Sequence, residues 1–432
     1  MEQQKKVAFH TLGCKLNFSE SSTLAREFEN GGYARAEKDD IADIHIINTC
    51  SVTDNSDKKC RNIIRKVIKD NPEAIVVVTG CYAQLKAEEI AAIEGVDIVV
   101  GNNRKGDILS LCMDLVKKGK SKIFSCETDQ LTSFFSAFSS GDRTRTFLKV
   151  QDGCSYNCSY CTIPLARGAS RNISINDLLS QANQVAAKGA KEIVLTGVNI
   201  GDFGRSTGEK FIDLLHALNS VSGIERYRIS SIEPNLLTDE VLEFCATSTK
   251  FQPHFHIPIQ SGSDKILKLM RRRYTCKIFA DKINHIKTLI PDVFIGIDVI
   301  VGFPGETDAD FEDCYNFLKE IAPAYLHIFP YSERADTPAI DFPCKVSPQD
   351  KELRAKRLAA LCEELHLNFC KRHIGKTAKV LVESTKKGNL MFGHTENYIK
   401  VELPYHKEYI NQIINVKITD IASEERVKAE II

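Results

Sequence analysis

Three cysteines in one short loop, Cys154, Cys158 and Cys161, have a spacing typical of metal-cluster ligands. Three residues separate the first pair and two separate the second, so thiolates from one tight loop can reach three corners of a single cluster. Thiolates favour iron–sulfur clusters, zinc or copper(I). Because a 4Fe–4S cluster has four irons, three cysteines leave one iron open for chemistry.

This loop has two other interpretations, a zinc knuckle and three unrelated cysteines of a hydrophobic core. Zinc usually takes four nitrogen or sulfur ligands in paired Cys-x-x-Cys spacings, and no second pair lies near residues 154–161. The spacing therefore favours an iron–sulfur cluster with vacant coordination.

Three further cysteines, Cys14, Cys50 and Cys81, each follow the end of a predicted strand. In open α/β sheets, ligands bind beyond the carboxyl ends of the strands, where three thiols would converge. The alternative is that all three are core residues, since free cysteine is among the most buried residue types. Because strand, turn, cysteine and helix follow one another in the same order three times, the sequence predicts a second three-cysteine iron–sulfur site.

Strands and helices alternate over residues 5–125. Apolar runs predict strands at 6–11, 44–47, 74–78 and 97–100, and the first helical pattern covers 19–30. Such alternation predicts a parallel sheet covered by helices. We therefore expect an N-terminal open α/β sheet domain over residues 1–125, followed by a linker over 126–141.

The alternation resumes in residues 142–371. Six predicted strands cover 147–150, 192–196, 226–231, 255–259, 294–301 and 326–329, and a long helix ends the segment. Six β/α units after a cluster loop predict a partial (β/α)6 barrel, whose site lies at the carboxyl ends of the strands. The cluster loop, Gly197, Ser231, Gln260 and Gly302 are then expected at one mouth.

The last segment, residues 372–432, contains five short alternating strands. This pattern predicts a small closed barrel of the OB type, a common nucleic-acid-binding module. In the preceding segment, the run from Arg271 to Tyr274 is either a solvated helix end or a phosphate contact for RNA with a stacking tyrosine. Arg167 and Arg171 are candidates for the same surface.

The composition is that of an ordinary soluble globular protein, with 432 residues, 43% of them hydrophobic and 26% charged. The formal net charge is zero, so no global basic field indicates nucleic acid. The first residues lack a secretory apolar core, and no apolar run approaches the ~18 residues of a membrane span. Fifteen cysteines indicate metal or redox chemistry rather than disulfides. We expect a cytoplasmic protein without a membrane anchor.

The loop cysteines, with aromatic Tyr160 before the last of them, resemble the signature of the radical S-adenosylmethionine (SAM) superfamily. This resemblance implies that the open iron chelates SAM and that an electron from the cluster cleaves SAM to methionine and a 5′-deoxyadenosyl radical. Residues 301–306 resemble the adenine-side loop of such barrels. The cofactor contacts expected on this basis are Tyr160, Thr196, Gly197, Ser231, Gln260, Val301, Gly302 and Phe303.

The whole chain resembles the methylthiotransferases, which have an N-terminal cluster domain, a radical SAM barrel and a C-terminal TRAM domain. It is most similar to the MtaB type, which acts on N6-threonylcarbamoyladenosine beside the tRNA anticodon. The stretches that carry this similarity are residues 11–17, 48–53, 80–84, 195–201 and 329–332. The RimO type is expected to have proline after the first cysteine, where this chain has Lys15.

The resemblance implies transfer of a methylthio group to C2 of the adenine, with one SAM methylating a sulfide on the N-terminal cluster and a second SAM yielding the radical. Two 4Fe–4S clusters are implied, held by residues that are both catalytic and metal-ligating: Cys14, Cys50 and Cys81 for the auxiliary cluster, and Cys154, Cys158 and Cys161 for the radical SAM cluster. The implied partners are a tRNA anticodon stem-loop, an electron donor such as flavodoxin or ferredoxin, and a sulfur source.

Three other functions stay open at this point. Related enzymes methylthiolate N6-isopentenyladenosine in tRNA or an aspartate of a ribosomal protein, and they share both clusters and the barrel. A non-enzyme alternative is an RNA-binding protein whose clusters are structural or sensing elements. Two three-cysteine sites, each with a vacancy, argue against this last alternative.

Overall fold

The structure is a computed structural model that describes residues 4–37, 40–113, 117, 120–141 and 143–432. Its strands form a six-stranded sheet, two three-stranded sheets and a closed five-stranded barrel, in that order along the chain. The predicted α/β class, the central barrel and the C-terminal β-barrel are confirmed.

The first sheet has the strand order β2-β1-β3-β4-β5-β6, and all of its strand pairs are parallel. Its strands are β1 (Lys6–Thr11), β2 (Ala34–Arg35), β3 (Ile44–Thr49), β4 (Ile75–Gly80), β5 (Ile98–Val100) and β6 (Lys122–Phe124). The helices are α1 (Lys15–Asn30), α2 (Asp54–Asp70), α3 (Cys81–Leu85), α4 (Ala87–Ala91) and α5 (Ile108–Met113). Strand β4 is an apolar run with three fully buried valines, as expected of a parallel strand covered on both faces.

Two strands and one helix start differ from the sequence prediction. The edge strands β2 and β6 have only two and three residues, too few to leave a periodic signal. Helix α1 begins at Lys15 instead of residue 19, and its N-cap Cys14 makes no side-chain capping hydrogen bond. Cysteine is not among the preferred N-cap residues, so no capping signal marks this helix start in the sequence.

The middle segment contains six parallel strands in two sheets, β7-β8-β9 and β10-β11-β12. The strands are β7 (Arg145–Lys149), β8 (Glu192–Thr196), β9 (Arg226–Ile229), β10 (His254–His256), β11 (Phe294–Val301) and β12 (Tyr325–Pro330). The helices are α6 (Ile163–Arg167), α7 (Ile175–Ala187), α8 (Phe211–Asn219), α9 (Asp239–Thr247), α10 (Asp264–Leu269), α11 (Cys276–Leu289), α12 (Asp308–Ile321) and α13 (Pro348–Lys371). Helix α12 has a complete capping box between Thr307 and Asp310, which fixes where it begins.

Two parallel bridges, Ser231 to His256 and Tyr227 to Phe251, join the two sheets into one curved barrel wall. The N-terminal unit packs on this wall through α1, where the ring of Phe18 meets that of Phe147 on β7 edge to face at 5.7 Å. Aromatic packing between α1 and β7 therefore helps to hold the N-terminal unit against the barrel.

The segment over residues 126–141, predicted as a linker, packs closely against its neighbours. Leu131, Ala137 and Phe138 are buried, and Phe138 forms an antiparallel bridge with Leu148 of β7. Arg26 of α1 lies over the Phe138 ring at 4.1 Å. The segment therefore fastens α1 to the barrel.

The C-terminal strands form a closed barrel in the order β13-β14-β15-β17-β16. They are β13 (Thr377–Lys387), β14 (Leu390–Thr395), β15 (Lys400–Pro404), β16 (Ile413–Ser423) and β17 (Arg426–Ile431). Arg226 and Arg228 of β9 donate hydrogen bonds to backbone carbonyls of this small barrel, including those of Lys379 and Thr395. No helix in the described part of the chain is long and apolar enough to cross a lipid bilayer.

Candidate active site

The three strand-end cysteines lie together at one edge of the N-terminal sheet. Cys50 directly follows β3, Cys81 follows β4 as the first residue of α3, and Cys14 caps α1 just beyond β1. These three strands are neighbours in the sheet. Burial, followed by the adjacent thiols of Cys81 and Cys14, raises the pKa of Cys50 to about 12. The parallel sheet thus brings together thiols that are far apart in sequence.

Gly13 allows Cys14 and Cys50 to approach one another. Its φ is +101°, which favours glycine, and a Cβ at this position would lie 2.7 Å from Cβ and 2.9 Å from Sγ of Cys50. Any side chain here would therefore displace the Cys50 thiol.

The loop cysteines follow β7 at the carboxyl end of the barrel and line one cavity together. Burial and the neighbouring Cys158 thiol raise the pKa of Cys161 to about 12. The guanidinium of Arg272 donates to Sγ of Cys158 at 3.1 Å and is itself paired with Glu233. A hydrogen bond of this kind stabilises the thiolate form that a cluster needs.

The donor sets fit clusters better than single ions. Tetrahedral zinc with bonds of about 2.3 Å holds its sulfurs about 3.8 Å apart. Among the described residues, one group of three potential metal ligands is compact enough for a single ion. It consists of His256, Asp298 and His327, whose ligand atoms all lie within 4.8 Å of one another. Neither cysteine triad is that compact, as expected for thiolates spread around a larger cluster.

A buried charge network lies behind the auxiliary cysteines, between the N-terminal sheet and the barrel. Glu20 pairs with Lys149 at 2.8 Å and Arg167 at 3.0 Å and also contacts Lys105. Although burial opposes it, these three cations hold the pKa of Glu20 well below its usual range. Asp152 joins the network through Lys149 at 2.7 Å and Arg167 at 2.9 Å.

This network contains more positive than negative charge. With Arg171, which reaches Asp152 at 3.2 Å, it has four cations and two carboxylates. Buried charges require compensation, and Arg167 and Lys105 act electrostatically on the Cys81 thiol. Three thiolates around a cluster would supply the missing negative charge, so the auxiliary site fits an anionic cluster.

The two cysteine loops are joined by a hydrogen bond from a side chain to a backbone carbonyl. The hydroxyl of Thr162 donates to the carbonyl of Ser51 at 3.3 Å. These residues directly follow Cys161 and Cys50. The end of the radical loop therefore touches the loop of the auxiliary site.

Cys14 and the loop cysteines also line two adjacent cavities. A cavity of about 730 Å³ extends from Cys14 to the strand ends at Gly197 and Ser231. A cavity of about 300 Å³ is lined by the three loop cysteines, and the two cavities share Ser231 and Phe329. These volumes are in the range of small-molecule sites, and Cys14 is the one auxiliary cysteine that lines either of these two cavities.

The expected SAM contacts divide into three sets, and Ser231 belongs to two of them. Tyr160, Ser231 and Gln260 line the cavity of the loop cysteines, and Thr196, Gly197 and Ser231 line the larger one. Val301, Gly302 and Phe303 line neither cavity, and Val301 and Phe303 are fully buried. Phe303 lies behind Tyr160, with ring centroids 6.3 Å apart.

Asn199 is a site residue that the sequence analysis missed. It lines the loop-cysteine cavity with 3% of its surface exposed, and neither its amide nitrogen nor its amide oxygen has a hydrogen-bond partner. A buried amide without partners is costly, so it indicates a polar ligand in this cavity. Asn199 follows the end of β8, as Gly197 does. Its position after a strand end was the signal that could have identified it.

The RNA-contact interpretation of Arg271 to Tyr274 is wrong for Arg272 and Tyr274, while Arg271 and Arg273 are exposed. Arg272 has 3% of its side chain exposed, and Tyr274 is 5% exposed and donates to the carbonyl of Pro258 at 2.7 Å. Arg167 and Arg171 are likewise buried in the charge network. Arg272 and Arg167 therefore lie beside the cysteine triads rather than on a solvent-exposed RNA surface.

Three family models match consecutive parts of the chain. They are the uncharacterized protein family UPF0004 over residues 6–101, the radical SAM superfamily over 148–318 and the TRAM domain over 371–431. Among solved structures, the radical SAM methyltransferase TsrM from Kitasatospora setae, with a tryptophan substrate and a SAM analogue bound, has a TM-score of 0.57 over 78% of this chain and 75% of its own, at 14% identity. The fold and the loop cysteines thus define a radical SAM enzyme, with an iron–sulfur cluster and SAM as its cofactors.

Curated relatives indicate which kind of radical SAM enzyme this chain is. Threonylcarbamoyladenosine tRNA methylthiotransferase MtaB of Bacillus subtilis is 41% identical over 95% of this chain and 93% of its own length, and that of Aquifex aeolicus is 37% identical over 96% and 100%. The tRNA-2-methylthio-N(6)-dimethylallyladenosine synthase of Clostridium botulinum is 34% identical over 94% and 93%. The chain belongs to the radical SAM methylthiotransferase family.

Proposed function

We propose that this enzyme converts N6-threonylcarbamoyladenosine at position 37 of tRNA to its 2-methylthio derivative. The observation that carries the proposal is that the loop cysteines and Cys14 line two adjacent cavities, which share Ser231 and Phe329. Relatives of this chain at 34–41% identity over most of their length bear the name of this activity. TRAM homology at residues 371–431 supports an RNA substrate.

The reaction replaces a C–H bond by a C–S bond at C2 of an adenine. This carbon has no acidic proton, so general acid–base catalysis alone has no means of activating it. When bound, two 4Fe–4S clusters and two molecules of SAM per turnover supply the electron, the radical and the methylated sulfur that the reaction needs. The reductant is proposed to be a flavodoxin or ferredoxin, and the sulfur comes from a separate donor.

The residues of the chain have distinct tasks in this proposal. The strand-end cysteines hold the auxiliary cluster and the loop cysteines hold the radical SAM cluster. Asn199, Ser231 and Gln260 offer polar groups to SAM in the cavity beside the loop. Val52 and Thr53, from the auxiliary loop, line the same cavity and help to exclude water from the radical.

The adenine must leave the anticodon stack to reach the adjacent cavities. Enzymes that act on a base inside a folded nucleic acid extrude it into a pocket, and single-stranded loops are well suited to this because their bases can be splayed out. The C-terminal barrel contributes His394, Tyr398, Lys400 and Glu425 to the lining of the larger cavity, which supports a role for it in holding the RNA backbone near this entry.

The experiment is nucleoside analysis of tRNA by mass spectrometry from cells with and without the gene. We expect the 2-methylthio derivative of N6-threonylcarbamoyladenosine to disappear on deletion and to return with the wild-type gene, but not with Cys154→Ala. Loss of the 2-methylthio derivative of the dimethylallyl nucleoside instead would assign the activity of the Clostridium botulinum relatives. Unchanged tRNA with a changed ribosomal protein would refute a tRNA substrate.

A further inference from the structure

A small basic cavity lies behind Cys14, on the side away from the loop cysteines. It has a volume of about 280 Å³, and its lining includes Lys15, Arg143, Arg145 and Arg228 together with the ring of Tyr398. It adjoins the 730 Å³ cavity, because both are lined by Gly13, Cys14, Lys15, His254 and Tyr398. A group bound in it lies next to the auxiliary site.

Two of these cations are already neutralised by the protein. Arg145 pairs with Glu383 at 3.1 Å and donates to the Tyr398 hydroxyl at 2.9 Å. Arg228 pairs with Glu192 at 2.8 Å and donates to backbone carbonyls of the C-terminal barrel. These arginines form the wall of the cavity and have little capacity left for a ligand.

Three other lining residues, Lys15, Arg143 and His254, have groups that are still free to bind a ligand. Neither Lys15 nor Arg143 forms an ion pair with any residue that the structure describes, and Arg143 stacks on the ring of Phe18 at 4.4 Å. His254 is 8% exposed, and its Nδ1 has no hydrogen-bond partner. The cavity therefore offers two solvent-accessible cations that are free to bind a ligand and one buried polar atom without a partner, which together favour an anionic ligand.

The position of Lys15 limits what this anion can be. Lys15 directly follows Cys14, so the anion lies close to the site where C2 would react. In adenine, C2 and the carbon that carries N6 both flank N1, so a substituent on N6 extends past the same edge of the base. The threonylcarbamoyl group carries a free carboxylate at the end of a short flexible chain, which matches the charge and the size of this cavity.

We propose that Lys15 determines substrate specificity by binding the threonyl carboxylate, with Arg143 and His254 as further donors. This inference rests on the proposed function. A dimethylallyl group in the same place would remove water from Lys15 without returning a partner, and leaving a charged group unpaired in this way is costly. The cavity thus favours the acidic nucleoside and disfavours the apolar one.

The test uses the anaerobic holoenzyme and three synthetic anticodon stem-loops. One carries N6-threonylcarbamoyladenosine, the second its neutral methyl ester and the third N6-dimethylallyladenosine. Binding and kcat/KM are measured for the wild type, Lys15→Met and Lys15→Arg. Lys66→Met, which changes an exposed lysine on α2, is the matched control, and iron content is measured for every protein.

We expect the wild type and the Lys66 control to bind the acid more tightly than the ester by on the order of 10- to 100-fold, the value of one hydrogen bond to a charged group. Lys15→Met should bind acid and ester alike, and Lys15→Arg should recover part of the preference. A Lys15→Met enzyme that keeps the full preference would overturn the inference. So would an equal loss on all three stem-loops, which would assign Lys15 to the phosphate backbone or to the cluster.

The two proposals fail in different ways. A wild-type enzyme that does not modify the acidic stem-loop refutes the proposed function and this inference together. A wild-type enzyme that modifies it, but binds acid and ester equally, leaves the proposed function intact and refutes the role of Lys15 alone.

Discussion

The two three-cysteine sites are built in opposite ways. The radical SAM site takes its thiols from residues 154–161, within a single loop, whereas the auxiliary site collects one thiol from each of three neighbouring strand ends over residues 14–81. The first site depends on the conformation of one loop. The second exists only when β1, β3 and β4 are correctly paired, so it depends on the fold of the whole N-terminal sheet.

The charged residues around the two sites also differ, because one set is a single local pair and the other is drawn from two units of the protein. At the radical loop, one buried cation, Arg272, is balanced by one carboxylate, Glu233. Behind the auxiliary site, four buried cations face two carboxylates, and the partners come from both the N-terminal sheet and the barrel. The auxiliary site therefore depends on the docking of the two units, and its cluster should be the more easily lost.

The largest expected effect separates the two sites by function. Replacing Cys154, Cys158 or Cys161 by alanine should abolish formation of 5′-deoxyadenosine and of methylthiolated tRNA. Replacing Cys14 or Cys81 should stop methylthiolation while SAM cleavage continues. Both products are measured in one anaerobic assay, with Cys344→Ala, an exposed cysteine outside both triads, as the control. Methylthiolated product from the Cys81 variant would show that the auxiliary site is not the sulfur donor.

The next prediction concerns the charge network. Arg167→Met leaves Glu20 and Asp152 partly unpaired inside the protein, and breaking a buried pair in this way typically destabilises by about 3–5 kcal/mol. We expect iron to fall from about eight to about four atoms per chain, with SAM cleavage retained. Arg167→Lys keeps the charge but not the forked geometry, so it should lose less iron. Equal loss of iron from both sites would contradict the assignment of this network to the auxiliary cluster.

The positions of both cysteine triads could be predicted from the sequence, for different reasons. The loop site was predictable because its three ligands lie within eight positions of one another. The strand-end site was predictable from repeated strand–cysteine order, since parallel strand ends converge. The structure brings the members of each predicted triad together. That each triad binds an iron–sulfur cluster stays a prediction.

The charge network was not predictable from sequence. Arg167 reaches Glu20 across 147 positions of the chain, and nothing local distinguishes such an arginine from one that binds RNA in solvent. The same holds for Arg272, which meets Cys158 across 114 positions. Pairing between distant charges depends on how two folded units dock, and periodicity contains no information on this.

A third prediction tests the balanced surroundings of the radical site. Arg272→Met removes the donor to the Cys158 sulfur, and a hydrogen bond to a charged group is worth about 1.4 kcal/mol or more. For a one-electron couple this corresponds to a fall of about 60 mV in the reduction potential. Potentiometric titration followed by electron paramagnetic resonance should show this shift for the radical SAM cluster only. A shift of the auxiliary cluster would contradict the separate surroundings described here.

The smallest expected effect uses pH to compare β3, which leads to the auxiliary site, with the barrel strand β8. His45 lies on β3, which ends at Cys50, and burial and the adjacent His10 lower its pKa to about 4. Because the unfolded chain takes up a proton near pH 6.5 and the folded chain does not, the stabilisation is complete above pH 6.5 and is lost as pH falls towards 4. Between pH 7.5 and 5.5 the loss should be about 1 kcal/mol.

Hydrogen exchange can locate this loss. We expect the amides of β3 to exchange faster at pH 5.5, after correction for intrinsic rates, while those of β8, which contains no histidine, change less. His45→Asn should remove the difference between the two strands, because asparagine does not titrate. If β3 and β8 respond equally in the wild type, the acid sensitivity is global, and the auxiliary site owes its lability to the docking charges alone.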